Sequence, residues 1–323
     1  MTYEGNLIDY LRSEMTCKSC KLLEGTGASN FIASMDTFIF DCDGVLWNEA
    51  GPLNGVMEVL QELRRLGKRV FFATNNSSKS RMAYLKKFEK FGIEAYEEEI
   101  YGTAYAVAYY LKEILKFDKK VFTLGTTGMV EELDAMNIQH IGSGPDQSTG
   151  GYNLQEWASF KLDPEVGAVV CGFDEHFSFH KLIKAASYLA KDSCLFIATN
   201  LDDRFPFNKN GVVIPGTGCM VVSVEAAARR KAKVIGKPER VMFECIQSRH
   251  AIDPSKTCMI GDRLNTDIMF GNNCGLTTVL VLTGISSLQD IQNLQTSVSP
   301  DDINSVPDFY MPSLESLKSS LKI

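Results

Sequence analysis

The chain has 323 residues and a formal net charge of −7, from 33 basic and 40 acidic side chains. Hydrophobic residues make up 45% of the chain and charged residues 23%, which is typical of a globular protein with one large domain or two smaller ones. The acidic balance argues against broad nucleic-acid binding, and no apolar run reaches the ~18 residues of a membrane-spanning helix.

The N-terminus and the cysteines indicate the compartment. The stretch MTYEGNLIDYLRSEMT has early acids and no long apolar core, so it is typical of neither a secretory signal nor a transit peptide. The nine cysteines are scattered, mostly within apolar runs. This pattern favours reduced thiols, and we expect a cytoplasmic protein with neither nucleic-acid nor membrane partners.

Short apolar runs alternate with amphipathic stretches, first between residues 37 and 91 and again after residue 219. Such repeated β-α units predict a parallel, doubly wound α/β sheet. The strands predicted for this sheet are 37–41, 69–75, 233–236, 257–262 and 277–284. The helices predicted between them are 56–66, 82–91, 219–231, 240–250 and 266–275.

The middle of the chain repeats this alternation on its own. Apolar runs predict strands over 120–125, 167–174 and 194–200, with helices over 129–136 and 179–190. We therefore predict two domains, a core and an inserted α/β unit. The core is formed by 1–117 and 215–323, and the insert by 118–214. The polar, turn-rich tail, 286–312, is expected at the surface.

Four stretches end predicted strands with polar side chains, at the edge where open α/β sheets bind ligands. These side chains are Asp41, Asp43, Thr74, Asn75, Asn76, Lys237, Asp262 and Asp267. Any one of them alone would more often be a turn or cap residue. Together they supply a nucleophile, an acid–base group, a hydroxyl, a cation and metal-binding acids. That combination suits phosphate-ester chemistry assisted by a hard cation such as Mg²⁺.

The segments DCDGVLW, ATNNSS, GKP and GDRLNTDI, in this order, resemble the motifs of the haloacid dehalogenase (HAD) superfamily phosphatases. The resemblance covers nearly the whole chain, and the insert is similar to the type-2 cap of the nitrophenylphosphatase-like branch. GFDEHFS, TNLDDR, PGTGC and VIGKP most resemble the phosphoglycolate phosphatases. The resemblance implies a Rossmann-like core with an inserted α/β cap and a phosphoric monoester hydrolase that uses Mg²⁺. We also expect a homodimer formed through the cap.

By this resemblance, Asp41 is the nucleophile that becomes an aspartyl-phosphate, and Asp43 is the general acid and then the base. Mg²⁺ would be held by Asp41, Asp262 and the backbone carbonyl of Asp43. Lys237 would be a further catalytic residue, and Asp267 would hold both Lys237 and the water shell of the metal. The residues expected to bind the phosphoryl group are Gly44, Thr74, Asn75 and Asn76. Helix capping alone would also explain a Thr-Asn pair.

Substrate choice is expected to depend on the cap segment NLDDRFPF, whose residues Leu201–Phe207 would lie over the active site. Arg204 can form a bidentate pair with a substrate carboxylate. We therefore predict 2-phosphoglycolate first and glycerol phosphate second. Pyridoxal 5′-phosphate comes well behind, because the Trp-His pair of the pyridoxal-phosphatase branch is absent at Arg204 and Phe205. A simple surface pair of Arg204 with Asp202 or Asp203 remains open.

Three other patterns are weaker. Cys17 and Cys20 have metal or redox spacing but no second pair, and GTGCMV lacks the third glycine of a dinucleotide loop. His176 and His180 can share a helix face, without a third ligand nearby. We interpret all three as structural. A phosphate-binding module without turnover is the alternative function, and it is disfavoured because a binder does not need Asp43.

Overall fold

The computed structural model describes residues 18–146, 153–205 and 211–322. Contacts between Cα atoms divide them into two compact units. The first unit contains the described residues up to 72 together with 91–94 and 251–322. The second unit contains 73–90 and the described part of 95–250. The predicted core and insert boundaries at 118 and 214 stay a prediction.

The described residues contain short strands and helices that alternate along much of the chain. The strands are β1 (Lys21–Leu22), β2 (Thr37–Phe40), β3 (Trp47–Asn48), β4 (Gly51–Pro52), β5 (Arg69–Thr74), β6 (Ile100–Gly102), β7 (Lys120–Leu124), β8 (His140–Ile141), β9 (Val166–Cys171), β10 (Leu195–Ala198), β11 (Lys233–Val234), β12 (Thr257–Gly261), β13 (Thr277–Val281) and β14 (Phe309–Met311). The α-helices are α1 (Gly25–Ser34), α2 (Val56–Arg65), α3 (Arg81–Lys90), α4 (Thr103–Tyr109), α5 (Thr127–Ala135), α6 (Leu154–Ala158), α7 (Phe179–Leu189), α8 (Thr217–Ala228), α9 (Val241–Arg249), α10 (Met269–Asn273), α11 (Leu288–Gln295), α12 (Pro300–Asn304) and α13 (Lys318–Leu321).

The first unit is built on a parallel sheet with the strand order β1-β14-β13-β12-β2-β5. The central strand β2 has three consecutive apolar residues after Thr37, and all four residues are buried, as expected for a parallel strand that is covered on both faces. Helix α2 buries one apolar face, formed by residues that recur at helical spacing: Val56, Val59, Leu60 and Leu63.

The second unit contains a second parallel sheet, with the order β11-β10-β9-β7-β8. Its core combines apolar residues of these strands with helices α7 and α8, including Tyr188 and Val221. The side chain of Ser178 accepts the N–H of Lys181 and caps the start of α7. Strand β11 pairs with β10 in this sheet, although the sequence pattern assigned 233–236 to the first sheet.

Two further predictions differ from the structure. The helix predicted over 266–275 begins as a π-helical turn at Leu264–Ile268 and continues as α10. The tail expected at the surface contains α11, α12 and strand β14, which pairs with β13 and buries Met311. No helix within the described ranges is long and apolar enough to cross a membrane.

A buried ion pair inside the second unit lies in the GFDEHFS segment. The ammonium group of Lys181 is 2.6 Å from Asp174 Oδ2, and both side chains are almost completely buried. The backbone N–H of His176 also donates to Asp174 Oδ1. We expect Asp174→Ala to lower the free energy of unfolding by about 3–5 kcal/mol, because it leaves a buried ammonium without its counter-charge. Urea unfolding followed by circular dichroism measures this change.

The matched control is Glu113→Ala, which removes an exposed partner of Lys116. It should leave the urea midpoint almost unchanged. A similar midpoint for both variants would mean that the buried pair stabilises the fold no more than the exposed pair does.

Candidate active site

Three carboxylates converge at one edge of the first unit. Asp41 follows β2 and Asp262 follows β12, and these strands are neighbours with Phe40 opposite Ile260. Parallel strands end at the same edge of a sheet, so the two acids are brought together. With Asp267 they form a buried cluster in which one carboxylate oxygen from each residue lies within 4.8 Å of the others. We call these three residues the carboxylate cluster.

Asp267 fixes the loop that carries Asp262. Its Oδ2 accepts the backbone N–H groups of Asp262 at 3.1 Å and Arg263 at 3.0 Å. The π-helical turn that contains Asp267 places this side chain against Gly261, where an added Cβ would come within 2.1 Å of Asp267 Cβ. A glycine is therefore required at the end of β12.

The loop after β13, residues 283–286, supports the cluster from the other side, and we call it the Gly284 loop. The N–H of Ile285 donates to Asp262 Oδ2 at 2.9 Å. A Cβ on Gly284 would come within 1.8 Å of the same oxygen, and one on Gly44 within 2.5 Å. Thr283 Oγ1 donates to the carbonyl of Gly44 at 2.6 Å. This loop was not predicted from the sequence, where its only signal is the glycine that ends the predicted strand 277–284.

Asp43 takes a different partner. The indole Nε1–H of Trp47 donates to Asp43 Oδ1 at 2.7 Å. The N–H of Gly44, expected to bind the phosphoryl group, donates to the carbonyl of Trp47 at 2.7 Å in this structure. The phosphoryl contact of Gly44 and the metal contact of the Asp43 carbonyl stay predictions.

In the second unit, Lys237 and Asn75 are joined by reciprocal hydrogen bonds. The N–H of Lys237 donates to Asn75 Oδ1 at 2.8 Å, and Asn75 Nδ2 donates to the carbonyl of Lys237 at 2.9 Å. Lys237 is 2% exposed, and its Nζ donates to the carbonyl of Ala73 at 2.7 Å. These bonds hold Asn75 and Lys237 against each other, although they are 162 positions apart in the sequence. The hypothesis that both residues bind the phosphoryl group requires such proximity.

Thr74 and Asn76 close the turn after β5. The hydroxyl of Thr74 is buried and accepts the N–H of Asn76 at 3.2 Å. Asn76 Oδ1 accepts both the N–H and the hydroxyl of Ser78. The turn-forming explanation therefore applies to both side chains, and their contact with a phosphoryl group stays a prediction.

The loop that carries Arg204 begins against Asn75, within the same unit. Asn200 Nδ2 donates to the carbonyl of Asn75 at 2.5 Å, and Asn75 Nδ2 lies 3.4 Å from Asp202 Oδ1. The side chain of Arg204 is 65% exposed, and its Nε is 3.9 Å from Asp203 Oδ2. This long surface pair is compatible with the simpler explanation of Arg204 and leaves the guanidinium accessible. Residues 206 and 207 of the predicted segment lie outside the described residues.

The weaker patterns give no second site within the described ranges. Cys17 lies outside them, and burial raises the pKa of the Cys20 thiol to about 12, which disfavours the reactive thiolate. His180 Nε2 accepts the indole N–H of Trp157 at 3.1 Å. The carboxylate cluster is the one group of three metal-ligating side chains in the described part of the chain.

Comparisons with known proteins agree with this arrangement. Family models described as haloacid dehalogenase-like hydrolase and HAD-hydrolase-like match residues 38–139 and 234–315. A glycerol-3-phosphate phosphatase from Gallus gallus is 43% identical over 307 residues, which cover 94% of this chain and 98% of that protein. The chain belongs to the haloacid dehalogenase-like hydrolases.

Other members of the family extend the comparison. Phosphoglycolate phosphatase 1A, chloroplastic, from Arabidopsis thaliana is 39% identical and covers 93% of this chain and 83% of that protein. The structure of a glycerol phosphate phosphatase from Mycobacterium tuberculosis in complex with magnesium is 25% identical, with a TM-score of 0.72 and coverage of 89% and 78%. The predicted family, α/β fold and phosphoric monoester hydrolase class are thereby confirmed.

The Gly284 loop generates a test of the cluster. We expect Gly284→Ala to lower phosphatase turnover at least tenfold and to raise the metal concentration needed for half-maximal activity, because the new Cβ displaces Asp262. Activity titrated with Mg²⁺ measures both effects. The control is Gly27→Ala in α1, where a Cβ meets nothing within 4 Å. An unchanged metal dependence of Gly284→Ala would contradict the assigned contact.

Proposed function

We propose that the chain hydrolyses small phosphate monoesters with Mg²⁺ through an aspartyl-phosphate on Asp41. The observation that carries the proposal is the convergence of Asp41, Asp262 and Asp267 at the carboxyl ends of adjacent parallel strands. A buried cluster of like charges is unfavourable unless a cation offsets it. A binding module without turnover is the alternative, and it is disfavoured because a binder does not need Asp43.

The donor set of the cluster suits Mg²⁺. It consists of carboxylate oxygens without a Cys or His ligand, and hard cations prefer such oxygen donors. Asp41 and Asp262 would hold the ion, with the Asp43 carbonyl, and Asp267 would order the loop and the water shell around it. Bound there, the ion would offset the charge of the phosphate. The magnesium in the mycobacterial relative supports this choice.

The protein residues would then act in two steps. Asp41 attacks phosphorus while Asp43 gives its proton to the leaving oxygen. Asp43 next takes a proton from the water that attacks the aspartyl-phosphate, which releases phosphate and restores Asp41. Lys237 supplies positive charge to the phosphoryl oxygens, and Thr74, Asn75, Asn76 and Gly44 complete their binding.

The substrate class follows from Arg204. Its exposed guanidinium can pair with a carboxylate on the leaving group, which favours 2-phosphoglycolate, with glycerol phosphate as the second candidate. The names of the avian and plant relatives support these two esters. Pyridoxal 5′-phosphate is the weaker alternative. An assay of the purified protein on these esters and p-nitrophenyl phosphate, with EDTA and then with added Mg²⁺, tests the proposal. Full activity in EDTA, or no hydrolysis of any ester, would contradict it.

Asp41→Asn should abolish turnover, because an amide oxygen is too weak a nucleophile to accept the phosphoryl group. The variant should also fail to form the acid-stable, base-labile phosphoenzyme seen after rapid quenching of the wild type with ³²P-labelled substrate. Circular dichroism and the urea unfolding midpoint of the variant serve as the folding control. Near-normal turnover would exclude Asp41 as the nucleophile.

Arg204→Ala should raise KM for 2-phosphoglycolate about tenfold or more and leave p-nitrophenyl phosphate hydrolysis nearly unchanged, because only the first ester carries a carboxylate. Arg204→Lys keeps the charge without the bidentate geometry and should give an intermediate KM. Steady-state kinetics on both esters separates these effects. An equal loss on both substrates would contradict a specificity role for Arg204.

We further propose a cytoplasmic location and a homodimer formed through the cap. Cys20, Cys171 and Cys258 are free thiols, which supports a reducing compartment. Fractionation of cells and analytical ultracentrifugation of the full chain test the two statements.

A further inference from the structure

The carboxyl group of Asp43 is held by a residue that the sequence analysis did not single out. Trp47 Nε1 donates to Asp43 Oδ1 at 2.7 Å, and the backbones of the two residues form an isolated β-bridge. The Trp47 side chain is completely buried, with its ring 5.7 Å from that of Phe91. A buried indole N–H needs an acceptor, and the Asp43 carboxyl provides one.

The backbone fixes the indole in this place. Strand β3 pairs with β4 in a short antiparallel ladder, with Trp47 opposite Pro52. The carbonyl of Cys42 accepts N–H groups of the following turn, and the carbonyl of Trp47 accepts the N–H of Gly44. The turn that carries Asp43 is therefore closed by backbone bonds, and the indole reaches back across it.

We propose that Trp47 is a positioning residue for Asp43, an inference that rests on the proposed function. An indole N–H only donates, so the oxygen it contacts must act as an acceptor. Oδ1 is engaged in this way, and Oδ2 is then the oxygen that exchanges protons with the reactants. The contact also selects one rotamer of Asp43 from the staggered set.

The proton balance assigns Oδ2 two tasks. In the first half-reaction Oδ2 gives its proton to the leaving oxygen as the P–O bond of the ester breaks and the bond from Asp41 to phosphorus forms. In the second, Oδ2 takes a proton from water as the water oxygen bonds to phosphorus and the aspartyl bond breaks. Trp47 touches neither substrate nor water in this scheme and acts only through Asp43.

The test uses Trp47→Phe, which keeps an aromatic ring and removes the donor. Glycerol phosphate leaves as an alkoxide and needs a proton, whereas 2,4-dinitrophenyl phosphate has a leaving group that departs without one. We expect kcat/KM to fall about tenfold for glycerol phosphate. This fall is a part of the rate enhancement of roughly 10²–10⁴ that a general acid contributes. For the dinitrophenyl ester it should change by less than about twofold, since kcat/KM reports only the first transfer.

Two comparisons make the test specific. In an Asp43→Asn background, Trp47→Phe should cause no further loss on glycerol phosphate, because the group through which it acts is gone. The matched control is Trp157→Phe, which removes the indole N–H that donates to His180 and should leave the ratio of the two esters unchanged. If Trp47→Phe does not fold, benzothienylalanine at position 47 replaces the N–H by sulfur in a ring of nearly the same shape, and the same outcomes apply.

Two results would overturn the inference: an unchanged ratio of the two esters, whether both rates fall equally or neither falls, or an additive loss in the Asp43→Asn background. In each of these the wild type still hydrolyses phosphate esters, so the proposed function stands while the role of Trp47 fails. A wild type that hydrolyses neither ester removes the proposed function together with the inference.

Discussion

Three carboxylates within 4.8 Å of one another repel each other, and the active edge of the first unit is built around that constraint. Backbone N–H groups offset part of the charge, as the bonds from Ile285 to Asp262 and from Arg263 to Asp267 illustrate. Glycines at 44, 261 and 284 leave the space in which the acids fit. The proposed dication would complete this balance, and for that reason the donor set and the surrounding loops have to be considered together.

In the second unit, the position of Lys237 is fixed although the strand that precedes it is short. β11 has only two residues, and Lys237 follows it by three positions. The side-chain amide of Asn75 provides the hydrogen bonds that a longer strand would provide. Its oxygen accepts the N–H of Lys237, and its nitrogen donates to the Lys237 carbonyl. A Cβ on Gly236 would come within 2.6 Å of Asn75 Oδ1, so the close approach depends on that glycine.

Much of the fold followed from the sequence because the central strands are continuous apolar runs bounded by turns. The prediction of a strand over 37–41 differs from β2 by one residue, and the acids at the ends of β2 and β12 followed from it. Helix α4 was missed because six of its seven residues are buried, which removes the amphipathic period. The roles of Trp47 and Gly284 depend on the direction of one N–H and on the space beside one carboxylate. Neither leaves a periodic pattern in a sequence.

The hydrogen bonds between Asn75 and the start of the loop at Asn200 and Asp202 have a consequence for how substrate range evolves. Replacing either loop residue would disturb Asn75, which sets the position of Lys237. With the role proposed for Lys237, new selectivity gained there would come with a loss of phosphate chemistry. The side chain of Arg204 is exposed and lies 3.9 Å from the Asp203 carboxylate, so it can vary without that penalty. Divergence among paralogues, and directed evolution of this enzyme, should therefore concentrate on positions after Asp202 and leave the first residues of the loop unchanged.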